Sequence, residues 1–461
     1  MFRRSLLKAS CAAMMFAMAA APLAAAEKTY DVAVVGGGIA GCSAALEAAQ
    51  RGKSVVLIQA QPIIGGDSYL STGWFYAFNS PLQRRNAKIQ DSEERFVKET
   101  LEVAKGKRDP MWVGIVAKNA GNDLEWLEKN GVQFEDIITR SMGSTVPRAI
   151  QVKGYGRGLM TALEKALRKT GKVTILLDTR CEGLVIKDGK LVGVKVGDAK
   201  QKREIDAKAV ILASGGFQFN KEMVAKYAPK FAKMGAVGDP NLKGDGVRFV
   251  LEAGAKSRNM DILNIVPTTD VDTRIYLTSA ALSGGGILVN EKGQRFCNEL
   301  KNYTATALAM QDQKHVYEIL VPETHSKAKV LADKGMIRRA DSIEALAKDI
   351  HVPYENLTKE IEDHNLSTEG KLKDRFGREV YKVKLHAPFY YMEVMPLILQ
   401  TLGGIVTNDK AQVLGKNDKP LFNNLYAVGD VISGYLDGGY RTGDALMFGV
   451  VSGRLAGSQA Q

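Results

Sequence analysis

Histidine and cysteine are scarce: 461 residues hold five of the first and four of the second. The histidines (His315, His325, His351, His364 and His386) are dispersed, and no C-x-x-C pair occurs. No cluster with metal-ligand spacing results, so no metal is expected. No C-x-x-C-H occurs either, which excludes covalent haem attachment. Beyond Cys11 near the N-terminus, Cys42, Cys181 and Cys297 are odd in number and widely spaced, against a disulfide framework. No Lys/Arg block is interleaved with aromatics, so nucleic acid is not an expected partner. The formal charge of +12 reads as a solvated basic surface, or as one suited to an acidic redox partner. Beyond the N-terminus no apolar run approaches the ~18 residues that cross a bilayer, so no membrane insertion of the mature chain is expected. Internal repeats and low-complexity linkers are also missing.

What is present is ordinary globular composition, 45% hydrophobic and 25% charged, which excludes disorder, a coiled coil and a collagen-like chain. Glycine is abundant, with 46 residues, as in α/β proteins with many tight strand-to-helix turns. Residues 1–8 carry Arg3, Arg4 and Lys8 and no acid; an Ala- and Met-rich stretch, Pro22 and Ala24-Ala25-Ala26 follow. Basic head, apolar middle and small-residue cleavage site mark an export signal, residues 1–26. The R-R-S-L-L-K run resembles a twin-arginine signal, the route for proteins that fold before export, and points to the periplasm.

The mature chain opens with Y-D-V-A-V-V-G-G-G-I-A-G. The pattern predicts a strand over 32–35, a glycine turn, a helix to about 50 and a second strand over 54–58. Gly36, Gly38 and Gly41 occupy the three fingerprint positions, one each for the tight turn, approach to a pyrophosphate, and helix-on-strand packing. Ile39 and Ala40 open a helix whose N-terminus faces the phosphates. The second strand ends on Gln59 where an acid usually holds the ribose diol; an amide can still bond it. Helices are expected over 92–104, 111–130 and 158–169, a hairpin turns at Asp188-Gly189, and 209–213 is a buried strand. The G-Y-G-R-G run at 154–158 reads as a loop, leaving one dinucleotide site and no separate NADH site.

Further motifs follow in order: G-G-D-S-Y-L-S-T-G at 65–73, G-D-G at 244–246, G-G-G-I-L-V-N-E-K-G-Q-R-F-C-N-E at 284–299, Q-T-L-G-G from Gln400, N-L-Y-A-V-G-D at 424–430 and Y-R-T-G-D-A-L from Tyr440. Together they resemble the FAD-dependent fumarate reductase/succinate dehydrogenase flavoprotein superfamily, in particular its soluble periplasmic flavocytochrome branch. The resemblance spans essentially the whole mature chain. It implies an α/β fold, a Rossmann-like FAD-binding domain (27–260 and 396–461) interrupted by an α+β capping domain (261–395). The residues so implied to hold FAD are Gly36, Gly38, Ile39, Ala40, Gly41, Gln59, Gly65, Gly66, Ser68, Thr72, Gly73, Ser214, Gly215, Asp245, Gly429, Asp430, Asp444, Ala445 and Leu446. No histidine lies near 68–73, where membrane-bound relatives attach flavin, so FAD is expected to be non-covalent.

The implied chemistry is hydride transfer to an activated C=C bond, with a carboxylate clamp and a general acid. Arg441 aligns with the arginine that binds the substrate carboxylate, where a guanidinium gives two parallel hydrogen bonds. Thr278 is retained. The other positions differ: Tyr303 stands at the proton-donating arginine, Ser279 and Leu282 at its relay, and Val266 and Gln400 at the two far-carboxylate histidines. Tyr303 is then the candidate acid, with Tyr440 next, and Thr278, Ser279, Gln400, Tyr440 and Arg441 the candidate substrate contacts. Phe389, Tyr390 and Tyr391 read equally as an aromatic wall or a core strand. The changes speak against fumarate and for a mono-carboxylate 2-enoate such as acrylate or methacrylate, a cinnamate-type acid, or urocanate. A separate cytochrome c would deliver the electrons, the reaction serving as an acceptor step of anaerobic respiration. Two alternatives stand beside this: a flavin dehydrogenase working oxidatively, as in ketosteroid dehydrogenases, and a non-catalytic flavin redox carrier.

Overall fold

The computed structural model describes residues 29–460 apart from 87, 142, 200, 278–281, 283, 326 and 380–382. The export segment expected over 1–26 lies outside the described residues, as do Thr278 and Ser279. No helix among the described residues is long and apolar enough to cross a membrane.

The first strand, Tyr30–Val35, sits between Val55–Ile58 and the second half of Lys202–Leu212, all parallel. Val173–Leu176 extends the sheet beyond Val55–Ile58, and Leu425–Ala427 closes beside Lys202–Leu212. These strands are covered on both faces, which is why they read as continuous Val/Ile/Leu runs. The first half of Lys202–Leu212 instead pairs antiparallel with Lys190–Gly197, which turns back on Arg180–Lys187. Lys187 and Lys190 pair across Asp188 (φ 52°) and Gly189 (φ 73°), the left-handed two-residue turn that the sequence pattern called for.

Helix Ile39–Gln50, Ala-rich and buried along nearly its whole length, packs against the last helix, Asp444–Gln459. The seam is made of small residues. A Cβ on Gly453 would overlap the Ala40 carbonyl, and one on Gly457 the Ala44 carbonyl. This close contact brings both helix N-termini to the same cavity at the carboxyl ends of the parallel strands, where open α/β sheets bind ligands.

One element differs from expectation. The 154–158 run opens the helix Tyr155–Lys169 instead of forming a loop, with Gly154 (φ 76°) as its N-cap. A Cβ on Gly156 would overlap the Ser68 carbonyl, so Gly156 serves close approach to the short helix Asp67–Leu70.

A second, mainly antiparallel sheet centres on the long strand Phe389–Thr401, flanked by Leu263–Asp270, Val316–Leu320 and Arg338–Ala340, with Ile287–Asn290 beyond. Side chains alternate between its faces. Ile287, Val289, Ile319 and Tyr391 enter one core; Leu288, Leu320, Tyr390 and Met392 enter another. Phe389, Tyr390 and Tyr391 are all buried in these cores, so the core-strand reading describes them. The R-F-C-N-E motif is also built into this region. Arg295 grips Glu299 through two 2.8 Å bonds and Asp374 at 2.6 Å, while Arg378 reaches Glu299 at 3.2 Å. That buried network anchors the segment leading to Tyr303.

Glu318, on Val316–Leu320, is fully buried, and burial pushes its carboxyl up to about 8. The folded chain therefore holds a proton there that the unfolded chain has lost, and this contribution to stability fades as pH rises from the ordinary carboxylate range through about 8. Glu318→Gln should flatten that part of the pH–stability profile. Thermal midpoints of both proteins between about pH 5 and about 8 check it; parallel profiles would refute it.

Candidate active site

The cavity at the strand ends has a volume of about 510 Å³. Its floor is the glycine turn, and each fingerprint glycine is there for a distinct steric reason. A Cβ on Gly36 (φ 107°) would overlap the Ala213 carbonyl, and one on Gly41 the Gly36 carbonyl. A Cβ on Gly38 meets only ordinary contacts, Ser68 Oγ at 3.6 Å and the Gly65 carbonyl at 3.7 Å, and would occupy the space the turn leaves for a ligand. A dinucleotide pyrophosphate fits that cradle, flanked by the N-terminus of Ile39–Gln50. Gly38→Val should fill it, leaving a folded protein purified with little flavin. Flavin content per protein reads this directly, and wild-type content would count against the cradle.

Of the expected cofactor residues, Gly36, Gly38, Ile39, Ala40, Gln59, Gly65, Gly66, Ser68, Thr72, Ser214, Gly215, Asp245, Gly429, Asp430, Ala445 and Leu446 line the cavity. Gly41, Gly73 and Asp444 do not. Gly41 packs helix against strand, Gly73 (φ 70°) packs against Tyr155, and Asp444 lies beneath. Gln59 Oε1 accepts from the Gly37 N–H at 3.0 Å, and its Nε2 donates to the Ile63 carbonyl at 3.2 Å. Beside it, Arg180 and Asp245 form a 2.6 Å ion pair.

The same cavity is lined by Asp67, Asp430, Gln400, Tyr276 and Tyr440. Phe389–Thr401 runs from the second sheet to this point and delivers Gln400, whose Nε2 donates to Asp430 Oδ2 at 2.7 Å. Burial pushes Asp430 up to about 6, against the pull of that amide. Asp67 accepts from the Asp239 N–H at 2.6 Å and from Gln218 Nε2 at 3.2 Å. Burial still drives Asp67 up to about 7, with Asp430 and Asp239 adding to it. Tyr276 is raised by burial, then by Asp67 and Tyr303; Tyr440 is raised by burial, then by Asp444, Asp430 and Tyr276. Both phenols therefore stay protonated at neutral pH. Sequence reading had missed Asp67 and Tyr276. The first sits inside the 65–73 motif and the second two residues before Thr278, so proximity to a motif was the only signal.

Arg441 is not among the cavity-lining residues. It is 1% exposed, donates from Nε and Nη2 to Asp444 at 3.2 Å each and from Nη2 to Thr100 Oγ1 at 2.9 Å, and lies 3.9 Å from the centre of the Tyr76 ring. Arg108 joins the same carboxylate at 2.6 Å and also donates to the Gly439 carbonyl. Burial alone would raise the Asp444 carboxyl; the two guanidiniums overcome it and hold it below the usual range. Its neighbour in sequence, half-buried Tyr440, faces the cavity instead. Tyr303 stands at the first position of helix Tyr303–Met310, 41% exposed and outside the cavity lining, close enough to Tyr276 to influence its titration. Val266 and Leu282 are buried apolar residues.

A family model described as FAD binding domain matches residues 31–445. The NADH:fumarate oxidoreductase of Klebsiella pneumoniae is 31% identical over 95% of this chain and 48% of its own length, so the chain spans about half of that relative. The fumarate reductase (cytochrome) of Shewanella frigidimarina is 31% identical over 96% of this chain and 78% of its own. The vinyl phenol reductase of Lactiplantibacillus plantarum is 28% identical over 94% and 96%. Among solved structures, the open conformation of a flavocytochrome c3 fumarate reductase superposes with a TM-score of 0.86 at 31% identity, over 94% of this chain and 78% of that one. With its glycine-floored cavity and this resemblance along nearly its whole length, the chain belongs to the FAD-binding flavoprotein family of the flavocytochrome c fumarate reductases and is an FAD-dependent oxidoreductase acting on C=C and CH–CH bonds.

Proposed function

We propose that this chain reduces the C=C bond of a small conjugated acceptor, a 2-enoate or a compound whose alkene is activated in the same way. The observation that carries the reading is the continuity of the cavity from the glycine turn to an end lined by phenol and amide donors. Relatives named for the reduction of fumarate, acrylate, urocanate and vinyl phenol share one denominator, a C=C bond conjugated to a further π system. Fumarate itself suits these residues poorly, since neither far-carboxylate histidine nor the relay glutamate and arginine has a counterpart.

The residues divide the work. Gly36–Ala40, Ser68, Ser214 and Gly215 would hold the FAD phosphates and ribitol, with Asp430 beside the ring-bearing end. When bound, reduced FAD supplies hydride at N5 to the alkene β-carbon. Tyr276, Tyr440 and Gln400 orient the acceptor by hydrogen bonds to its activating group. Tyr303, at the mouth and open to solvent, delivers the proton to the α-carbon and regains one from water. The segment 261–395 acts as the cap that covers the acceptor. Export to the periplasm, reduction by a separate cytochrome c and non-covalent FAD complete the proposal.

The test is an anaerobic screen of conjugated alkenes against the holoenzyme with dithionite-reduced viologen. Dye oxidation dependent on an added alkene supports the reading. Rapid flavin reduction by a saturated acid or ketone, with no alkene able to reoxidise it, would favour the oxidative dehydrogenase. Acid precipitation should release yellow FAD into the supernatant; flavin staying on the denatured chain would overturn non-covalent binding.

A further inference from the structure

We propose that Arg378 is a positioning residue for the proton transfer: it fixes the start of the helix that carries Tyr303 against the main chain at Leu282 and Gly286. The proposal rests on the reading of Tyr303 as the acid and adds the residue through which its place is set.

The side chains of Arg378 and Glu299 are both 0% exposed. Arg378 Nη1 donates to Glu299 Oε2 at 3.2 Å and to the Gly286 carbonyl at 2.9 Å, and Nη2 donates to the Leu282 carbonyl at 3.2 Å. Leu282 and Gly286 follow cavity-lining Tyr276 along the chain. Gly284 between them already abuts the Thr324 carbonyl, which a Cβ there would overlap. On the other side, Glu299 stands shortly before Tyr303. Thr306 Oγ1, inside the helix Tyr303–Met310, reaches the Glu299 carbonyl at 3.4 Å and the Asn302 carbonyl at 3.1 Å.

Arg295 already gives Glu299 a bidentate partner, with 2.8 Å bonds from Nε and Nη2. Glu299 also accepts the Leu288 N–H at 3.2 Å, and the guanidiniums overcome burial to hold its carboxyl below the usual range. With Asp374 opposite Arg295, two cations meet two anions, so the cluster needs no ligand. What Arg378 adds is the link from that carboxylate to two main-chain carbonyls. A guanidinium reaches several acceptors in one rigid fork, which an ammonium cannot reproduce. Tyr303 is 41% exposed, so the place of its hydroxyl follows from how the helix start is held. Misplacing a reacting group by about 1 Å can cost ~10²-fold in rate.

Arg378→Lys keeps the charge beside Glu299 and loses the fork. Holoenzymes are assayed with dithionite-reduced viologen and acrylate, fumarate, urocanate, cinnamate and 4-vinylphenol. The alkene that the unaltered enzyme reduces fastest is then used throughout, with kcat expressed per bound flavin. Arg378→Lys should lower kcat by at least about tenfold, but by less than about twofold in a Tyr303→Phe background, because it acts through that hydroxyl. A role in stability alone would leave kcat per flavin unchanged, and an independent role would give the same factor in both backgrounds. Either result removes the positioning role and leaves the acid in place. If Arg378→Lys holds no flavin, Thr306→Val, which cuts the helix from the Glu299 carbonyl, goes through the same cycle; full kcat for it overturns the proposal. Near-wild-type turnover by Tyr303→Phe removes the acid reading and this proposal together. Reoxidation of the reduced holoenzyme by none of the five alkenes removes the C=C reading as well.

Discussion

Tyr303→Phe should leave fold and FAD content intact and cut turnover by ~10²–10⁴-fold, the usual worth of a positioned general acid. The substitution removes one hydroxyl from a ring that is 41% exposed, so no core is disturbed. The helix it opens is capped by Asn302, whose Oδ1 accepts from the Ala305 N–H at 2.7 Å, a bond that does not involve Tyr303. Without the phenol, the carbanion developing at the α-carbon finds no proton and hydride transfer stalls, a barrier increase of roughly 3–5 kcal/mol. Steady-state turnover with reduced viologen, alongside flavin content, makes the measurement. Near-wild-type turnover would make Tyr303 a bystander and shift the acid role to Tyr440, which lines the cavity.

Asp444→Asn should destabilise the protein by about 3–5 kcal/mol, the cost of leaving buried charge uncompensated. Asp444 is the shared counter-ion of Arg108 and Arg441, and all three side chains are 0% exposed. The amide keeps the shape and removes the charge, so two guanidiniums remain in a buried site. The double change Arg108→Met with Asp444→Asn should recover part of the loss, since one of the two stranded cations goes with it. Thermal midpoints of the three proteins, compared at one FAD concentration, give the answer. An unchanged midpoint for the single variant would show that the cluster is hydrated or carries less charge than its geometry implies. For the same reason Arg441→Lys should lower stability through the lost fork and the lost stacking on Tyr76, and any fall in turnover should track loss of folded protein. A rise in KM at full stability would instead restore Arg441 to the site.

The contrast between Tyr440 and Arg441 shows why sequence reading stopped where it did. In the strand–turn–helix at 30–50, every requirement is local. Val32–Val35 must be apolar because the strand is covered on both faces, and Gly36 and Gly41 must lack a side chain because carbonyls occupy that space. Such constraints leave their mark on neighbouring residues, so the turn, both helix ends and the Asp188-Gly189 hairpin were legible in the chain itself. The loop 435–443 has no period to say which side chain faces inward. Arginine there matches a carboxylate clamp by chemistry, and no local pattern says which way its guanidinium turns.

Composition and motif spacing were thus sufficient for the class of fold, the dinucleotide cavity and most of its lining, because strand burial and glycine turns are settled within a few residues. Which of two adjacent side chains lines the cavity was decided by tertiary structure alone. Arg108, 336 positions before Asp444, bonds to it at 2.6 Å, and Arg441 joins the same carboxylate while also meeting Thr100 and the face of Tyr76, which completes a buried ion cluster. A carboxylate, a hydroxyl and an aromatic face together hold the Nε and Nη2 side of the Arg441 guanidinium in the interior, and Tyr440 is the one of the two that lines the cavity.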